Sequence, residues 1–441
     1  MKRIQTYIML TALTLSSSLI SALDAKGAGL SPEQTLPLAN GRDAYEPAAC
    51  WGKDTFLVVW KSGHLAEGNL LKTGLNYIGN LAACRVNASG KMLDTKPIVV
   101  SDAKDLQEKP EIAFGNGQFL VVWQDHRNGK DWDVYATRIS PDGKVLDGEG
   151  ILVAGGPHNQ AIPSVTWDGR NFQVVWQDFR SNERYEVYGA RVSPSGRVME
   201  PKGQLLVTAK PPYSRYNPVI ASVPEGGKCL LFWQGTHNNR KIPMAGSHFV
   251  VNGKVSGEPT MTNSSYRESP GGGVNGQSPT WIASAPEAFL AVWTTGMFYG
   301  RSGAINDAHG ATFAADGTLQ KRLILAVKLA RSKHNARPRN SQCIWSGTHF
   351  IAAWDQYDLN AARKARARAP IEAVFAAEVD VKGNVSSHIR VAGTMAEPAI
   401  RPTVASDGKG TTLIAYEQHP AKGDIPIQIE FRVLTKQVPQ R

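Results

Sequence analysis

A short apolar run closing on an aromatic residue returns seven times along the chain, and no other feature restricts the possible folds as much. Phe56-Leu57-Val58-Val59-Trp60 is the first copy and Phe119-Leu120-Val121-Val122-Trp123 the clearest. Residues 172–176, 229–233, 289–293, 350–354 and 412–416 follow, and successive aromatic ends are 63, 53, 57, 60, 61 and 62 residues apart. The runs are apolar at consecutive rather than alternate positions, so a strand built from one is buried on both faces. A unit of that kind cannot cover itself and must stack on neighbours like it. The 441 residues would otherwise suggest about three domains; the repeat overrides that expectation.

Each unit divides into four strand-like pieces. A proline stands at the start of the first: Pro47, Pro110, Pro163, Pro218, Pro279, Pro338 and Pro402. Proline suits the first position of a strand, where its missing N–H breaks no ladder bond. The apolar run is the second piece. The third is exemplified by residues 134–139 and 187–192 and is followed by a turn carrying Gly90, Gly143, Gly196, Gly253, Gly317 or Gly383, as a tight hairpin with positive φ requires. The fourth is short, as in residues 98–100, 151–153 and 205–207. The expected architecture is all-β: a seven-bladed β-propeller of four-stranded antiparallel blades, one domain over residues 26–441. The seventh unit stops after its third strand, at residues 427–434, while Leu36-Pro37-Leu38 precedes the first unit with no strands before it. An N-terminal strand at about residues 35–40 is therefore expected to complete blade 7 and close the ring.

The pattern Pro-x-Val-Ala, then Gly, then Val-Val-Trp-x-Asp resembles the repeats of bacterial exported β-propellers over about residues 36–435. It speaks to architecture and is nearly silent on activity, because propellers carry many unrelated functions. Residues 1–25 read as a secretory signal, with Lys2 and Arg3 ahead of an apolar, Ser-rich run too short and polar to span a bilayer. Periplasmic or extracellular location follows as an expectation, with no transmembrane segment in the mature chain. Of the four cysteines, Cys50 aligns with Ala113, Thr166, Ala221 and Ala405, and Cys84 with Thr137, Ala190 and Ala377. Those small-residue slots favour buried thiols over a disulfide. The net charge is +11, and residues 321–401 hold 14 Lys/Arg against 6 Asp/Glu. Export makes nucleic acid a poor partner for that basic skew; an anionic polysaccharide or an acidic envelope component fits it better.

Loop length selects the working face. First-to-second loops are short, as at residues 115–117, 168–170 and 346–348, whereas second-to-third and fourth-to-first loops, such as 263–278, 294–307 and 355–370, are long and varied. Binding on a rigid scaffold usually sits in loops of the second kind. Residues just before the prolines should ring the channel mouth there, and they do not repeat. This favours one asymmetric site over seven equal ones. The candidate binding residues are Tyr45, Arg215, Tyr216, His334, Arg337 and Arg401. Arg337 and Arg401, from neighbouring blades, have the fork geometry to grip a carboxylate or sulfate; alternatively Arg401 pairs with Glu46 as a structural latch. Tyr216, His334 and Arg215 offer the residue types for proton abstraction beside a carboxylate, as in seven-bladed polysaccharide lyases, but the local motif of those enzymes is absent. A uronate lyase is thus the alternative to a binding propeller. A metal redox propeller ranks third, because no histidines stand at i, i+2 or i, i+4 spacing; neither cofactor nor metal is expected. Asp125/Arg127 and Asp178/Arg180 read as turn chemistry. The glycine-rich residues 271–276 precede no helix and so fail as a phosphate loop, and the basic residues 361–369 add to the case for an anionic partner.

Overall fold

The computed structural model describes residues 29–39, 42–65, 77–208, 213–223, 227–237, 242–261, 281–299, 303–325, 338–358, 371–386, 388–394, 397–420 and 425–435. They form seven antiparallel sheets of four strands each. The first strands of the blades, in order, are Asp43–Gly52, Gln107–Gly115, Gln160–Trp167, Arg215–Ser222, Trp281–Ser284, Pro338–Trp345 and Ala399–Ser406. All seven line one central cavity of about 350 Å³, which makes them the inner strands of a ring. The apolar runs are the second strands, and Gln118–Asp125 is buried at every position. Each fully covered Val, Leu or Phe there contributes about 1.5–3 kcal/mol, so the blade faces hold the ring together. The third-to-fourth turn glycines take φ values of 77–90°, as the hairpins demand. Among the described residues no helix is long and apolar enough to cross a membrane; residues 1–28, with the expected signal, lie outside the described set.

The ring closes as a three-plus-one blade. Gln34–Thr35 adds to Gln428–Thr435 of blade 7, pairing Gln34 with Phe431 and Thr35 with Glu430. The closing segment lies slightly earlier than Leu36-Pro37-Leu38: Leu30 bridges Leu434, and the last ladder bond runs from Leu36 N to Ile429 O at 2.9 Å. The ladder stops there because the next acceptor, Ile427 O, is taken by Ala44 N at 2.8 Å. Leu36 is 2% exposed and packs with Phe56 and Trp60 of blade 1 and Phe431 and Val433 of blade 7. Tyr416, standing where other blades have tryptophan, donates its hydroxyl to Glu33 at 2.8 Å.

Two expectations change. The prolines of blades 1–4 and 7 are not first in their strands but sit at a bulge, where the register shifts between Tyr45 and Ala48, Glu108 and Glu111, Ala161 and Ser164, Tyr216 and Val219, and Ile400 and Thr403. A bulge leaves an N–H out of the ladder, which is what proline needs. In blade 6, Pro338 opens its strand as expected and the register shift falls just after it, between Pro338 and Ser341; Pro279 of blade 5 lies outside the described residues. Residues 294–307 are also not a loop: Ala288–Tyr299 and Gly303–Ala314 continue pairing as a long hairpin out to Tyr299 and Gly303.

The two ends of the channel differ in chemistry. At the short-loop end, Trp51, Phe114 and Trp167 of blades 1–3 each stand edge-on to the phenylalanine that opens the next strand, at 4.5–4.9 Å between ring centroids. Phe114 and Trp167 also lie over Gly52 and Gly115 of the preceding blades, so close that a Cβ on either glycine would fall 2.1 Å from a ring atom. The four cysteines are unpaired, and burial pushes the Cys50 and Cys84 thiols up to about 12.

Candidate functional site

At the other end, the residue before each bulge proline is held in the left-handed region: Glu46, Lys109, Ile162, Asn217 and Arg401 have φ of 47–56°. That conformation is costly for side chains other than glycine and asparagine, and its repetition has a common cause. The left-handed N–H turns toward the preceding blade and finds the side chain that follows the aromatic end of that blade's second strand. Ile162 N donates to Gln124 Oε1 at 3.0 Å, Asn217 N to Gln177 Oε1 at 3.2 Å, Arg401 N to Asp355 Oδ2 at 2.8 Å and Glu46 N to Glu417 Oε1 at 2.8 Å. At four of the seven joints, one side chain thus ties a sheet to the next around the mouth.

Blade 1 breaks the rule. It has Lys61 after Trp60, and an ammonium has no lone pair to offer. Glu46 supplies the missing acceptor, taking Lys109 N at 3.2 Å and the Lys109 ammonium as well. Lys61 turns to Glu108 at 3.1 Å and lies 3.9 Å from Glu46. Burial alone would raise the Glu46 carboxyl, but Lys109, Lys61 and Arg401 outweigh it and hold it down at about 2. Arg401 meets both oxygens of Glu417, at 3.0 and 3.4 Å, and His419 Nε2 lies 3.1 Å from the same carboxylate. Glu417 is fully buried. The Arg401 latch therefore runs through Glu417 of its own blade, with Glu46 joined to that carboxylate by its backbone.

The mouth is consequently lopsided. Blades 7, 1 and 2 carry Arg401, Glu46, Lys61, Glu108 and Lys109, whereas blades 3 and 4 present Ile162 and Asn217, and blade 6 presents Asn340. The acids lie beneath, with the Glu46 side chain 13% exposed, while those of Lys109 and Arg401 are 47% and 44% exposed. Burial works against the charge on both cations, but their carboxylate partners overcome it and raise each above its ordinary value.

The other candidates fall as follows. Tyr45 belongs to this cluster, with its hydroxyl 3.1 Å from Asp43 and the Lys61 ammonium 5.8 Å from its ring centre. Arg215 and Tyr216 are on blade 4, away from the charged sector. The Arg215 guanidinium lies over Trp233 at 4.8 Å and donates to Ser214 O at 3.0 Å. Burial pushes the Tyr216 hydroxyl up and the Arg215 guanidinium down. His334 and Arg337 lie outside the described residues. On blade 6, Asn340 gives both its N–H and its amide to Asp355, at 2.9 and 2.6 Å, the carboxylate that also accepts Arg401 N. The sequence puts Lys109 among the mouth residues before the prolines without singling it out, and it misses Glu417, because the signal lies in a comparison: the position after the aromatic reads Lys, Gln, Gln, Gln, Thr, Asp, Glu around the ring, and its charged members mark the sector. Among the described residues no group of three or more His, Cys, Asp or Glu side chains is placed to hold a metal ion. Asp125 and Asp178 are spent locally, each accepting from its own Trp Nε1, at 2.7 and 2.8 Å, and from Arg127 or Arg180.

No protein-family model matches the sequence, and no curated protein matches it. Several solved structures align with the chain at low identity. A protein of unknown function from Dyadobacter fermentans aligns over 93% of this chain and all of its own, at 9% identity and a TM-score of 0.46. An α-L-arabinanase of Penicillium chrysogenum complexed with arabinobiose aligns over 91% of this chain and 98% of its own, at 8% identity and a TM-score of 0.47. The β-xylosidase RS223 aligns over 80% and 98%, at 11% identity and a TM-score of 0.40. At such identities and TM-scores the likeness carries no argument about what this chain does.

Proposed function

We propose that this is an exported propeller that binds an anionic polysaccharide, or an envelope component bearing one, at the lopsided mouth of its channel. Lys109 and Arg401 would be the contacting cations. One observation carries the reading: two half-exposed cations on neighbouring sides of blade 1 are held in place by carboxylates buried beneath them. Paired in this way, they lose little freedom when a sulfate or carboxylate arrives, and a guanidinium accepts such a group through two parallel N–H bonds. The basic residues 321–401 belong to blades 5–7 and would extend the same attraction. Retention on an immobilised polyuronate and on a sulfated glycan, against a neutral glucan, tests this. Raising salt from about 0.05 to 0.5 M should abolish binding, since exposed charges are screened over that range. Lys109→Gln should weaken it about two- to fivefold, as befits the loss of one exposed ionic contact. Retention indifferent to salt, or equal on the neutral glucan, would reject the reading. The lyase alternative would draw on Arg215 and Tyr216 of blade 4 and on His334, which lies outside the described residues.

A further inference from the structure

Below the mouth, the channel holds one ionisable group with no hydrogen-bond partner among the described residues. Glu111 is the residue after the bulge proline of blade 2, and its side chain lines the central cavity with Ser164 and Thr166 of blade 3 and Trp51, Trp167 and Trp281. Neighbouring blades show what this position ordinarily does. Ser164 Oγ accepts Ile220 N at 3.3 Å, and Gln342 Oε1, at the same register in blade 6, accepts Val404 N at 3.2 Å. No such bond reaches Glu111. Its carboxyl is open to the lumen yet enclosed by the ring on all sides, and that enclosure raises it well above the usual carboxylate range, with Lys109 acting weakly in the opposite sense. The other titratable groups of the lining are the Cys50 and Cys343 thiols, both raised by burial and so uncharged. Among the described residues the lining therefore holds one acid and no cation. Lys109, at the mouth, is already paired with Glu46.

We infer that the channel is a binding site for a small organic ammonium ion, with Glu111 as its counter-ion. Charge complementarity selects a cation, and the size of the lumen selects its kind. About 350 Å³ lies in the range of small-molecule pockets and is far more than a bare ion fills. A calcium or magnesium site would also need several oxygen ligands of high charge, where this lumen offers a single carboxylate. An ammonium needs less: a carboxylate, the Ser164 and Thr166 hydroxyls, and an aromatic face such as Trp281, which stands at the register of Glu111 on blade 5. An ammonium favours the ionised form of Glu111, so affinity rises with pH until the ligand's own amine loses its charge. This site is distinct from the polysaccharide contact at the rim and does not depend on it.

Three tryptophans line the lumen, so intrinsic fluorescence reports occupancy. The test titrates the full mature chain with methylammonium and glucosamine, with glucose as the uncharged match to glucosamine and calcium as the inorganic arm. The amines should give a saturable response below about 10 mM that strengthens with pH, and glucose none. Glu111→Gln, which keeps the shape of the protonated acid, should weaken amine binding at least tenfold and remove its pH dependence, while far-ultraviolet dichroism stays unchanged. Equal responses to glucose and glucosamine, a response to calcium alone, no saturable response to either amine, or a Glu111→Gln protein that binds like the parent would each overturn the proposal. Lys109→Gln separates the two sites: it should impair polysaccharide retention and leave amine binding intact or improved.

Discussion

Leu36→Ala should weaken the whole ring, although Leu36 belongs to a closing segment of which only two residues, Gln34 and Thr35, are assigned as strand. Its side chain is 2% exposed and wedged between blades 7 and 1, among Phe56, Trp60, Ile429 and Phe431. Truncating a leucine in such a place removes its transfer free energy and leaves a cavity, together about 2–5 kcal/mol. That is a large share of the roughly 5–15 kcal/mol by which domains are stable. Little collapse to fill the hole is expected, because the flanking rings belong to sheets tied to other sheets. For a chain of this length the urea dependence is at least about 3 kcal/mol per molar, so the midpoint should fall by roughly 1 M. Tryptophan fluorescence follows the transition, since the buried Trp60, Trp123 and Trp176 report on three blades. Leu152→Ala is the control: the same chemical change on an outer strand, at a side chain 51% exposed, should move stability by no more than about 0.5 kcal/mol. Equal midpoints for the two variants would show that the ends of the chain do not close the ring energetically. Removal of residues 29–38 should then also be harmless, instead of lowering the midpoint further.

Other outcomes follow from single residues. Burial and the nearby Glu33 raise the Glu430 carboxyl, beside the closing segment, to about 7. Its contribution is therefore full below pH 4.5 and lost as pH rises through about 7. Glu430→Gln should raise the melting point at pH 8 but not at pH 4.5, by about 1 kcal/mol once partial exposure is discounted; a lower melting point at pH 8 would contradict this. Glu46 runs the other way: held at about 2, it stabilises above pH 4.5, and that part is lost only as pH falls toward 2. Gly115→Ala should destabilise by about 1–3 kcal/mol in denaturant titration, because the new methyl must displace the Trp167 ring. Ile162→Asn should stabilise by up to about 1 kcal/mol, since asparagine tolerates the left-handed backbone that a β-branched residue resists and the bond from its N–H to Gln124 is kept. A thiol reagent should find Cys84, Cys229 and Cys343, all buried, unreactive in the native protein and reactive in denaturant.

By itself the sequence determined the number of blades, the strand order within them and the need for a borrowed strand at the ring's end, because these depend on burial pattern and turn chemistry, which are local. It also singled out Tyr45 and Arg401 as rim residues. Tertiary structure decided the rest. That Asp355 of blade 6 accepts both Asn340 and the Arg401 N–H of blade 7 is invisible until strands are paired. Lys109 and Glu417 acquire meaning only when blade 7 meets blade 1 and blade 1 meets blade 2. Glu111, unremarkable in the chain, becomes distinctive only once seven strands enclose it. The physical reason is that a propeller's core forms within and between adjacent sheets, where the repeat dictates it. Its channel and mouth are assembled from one residue per blade, about sixty positions apart in the chain, and no local pattern records which of those residues will face each other.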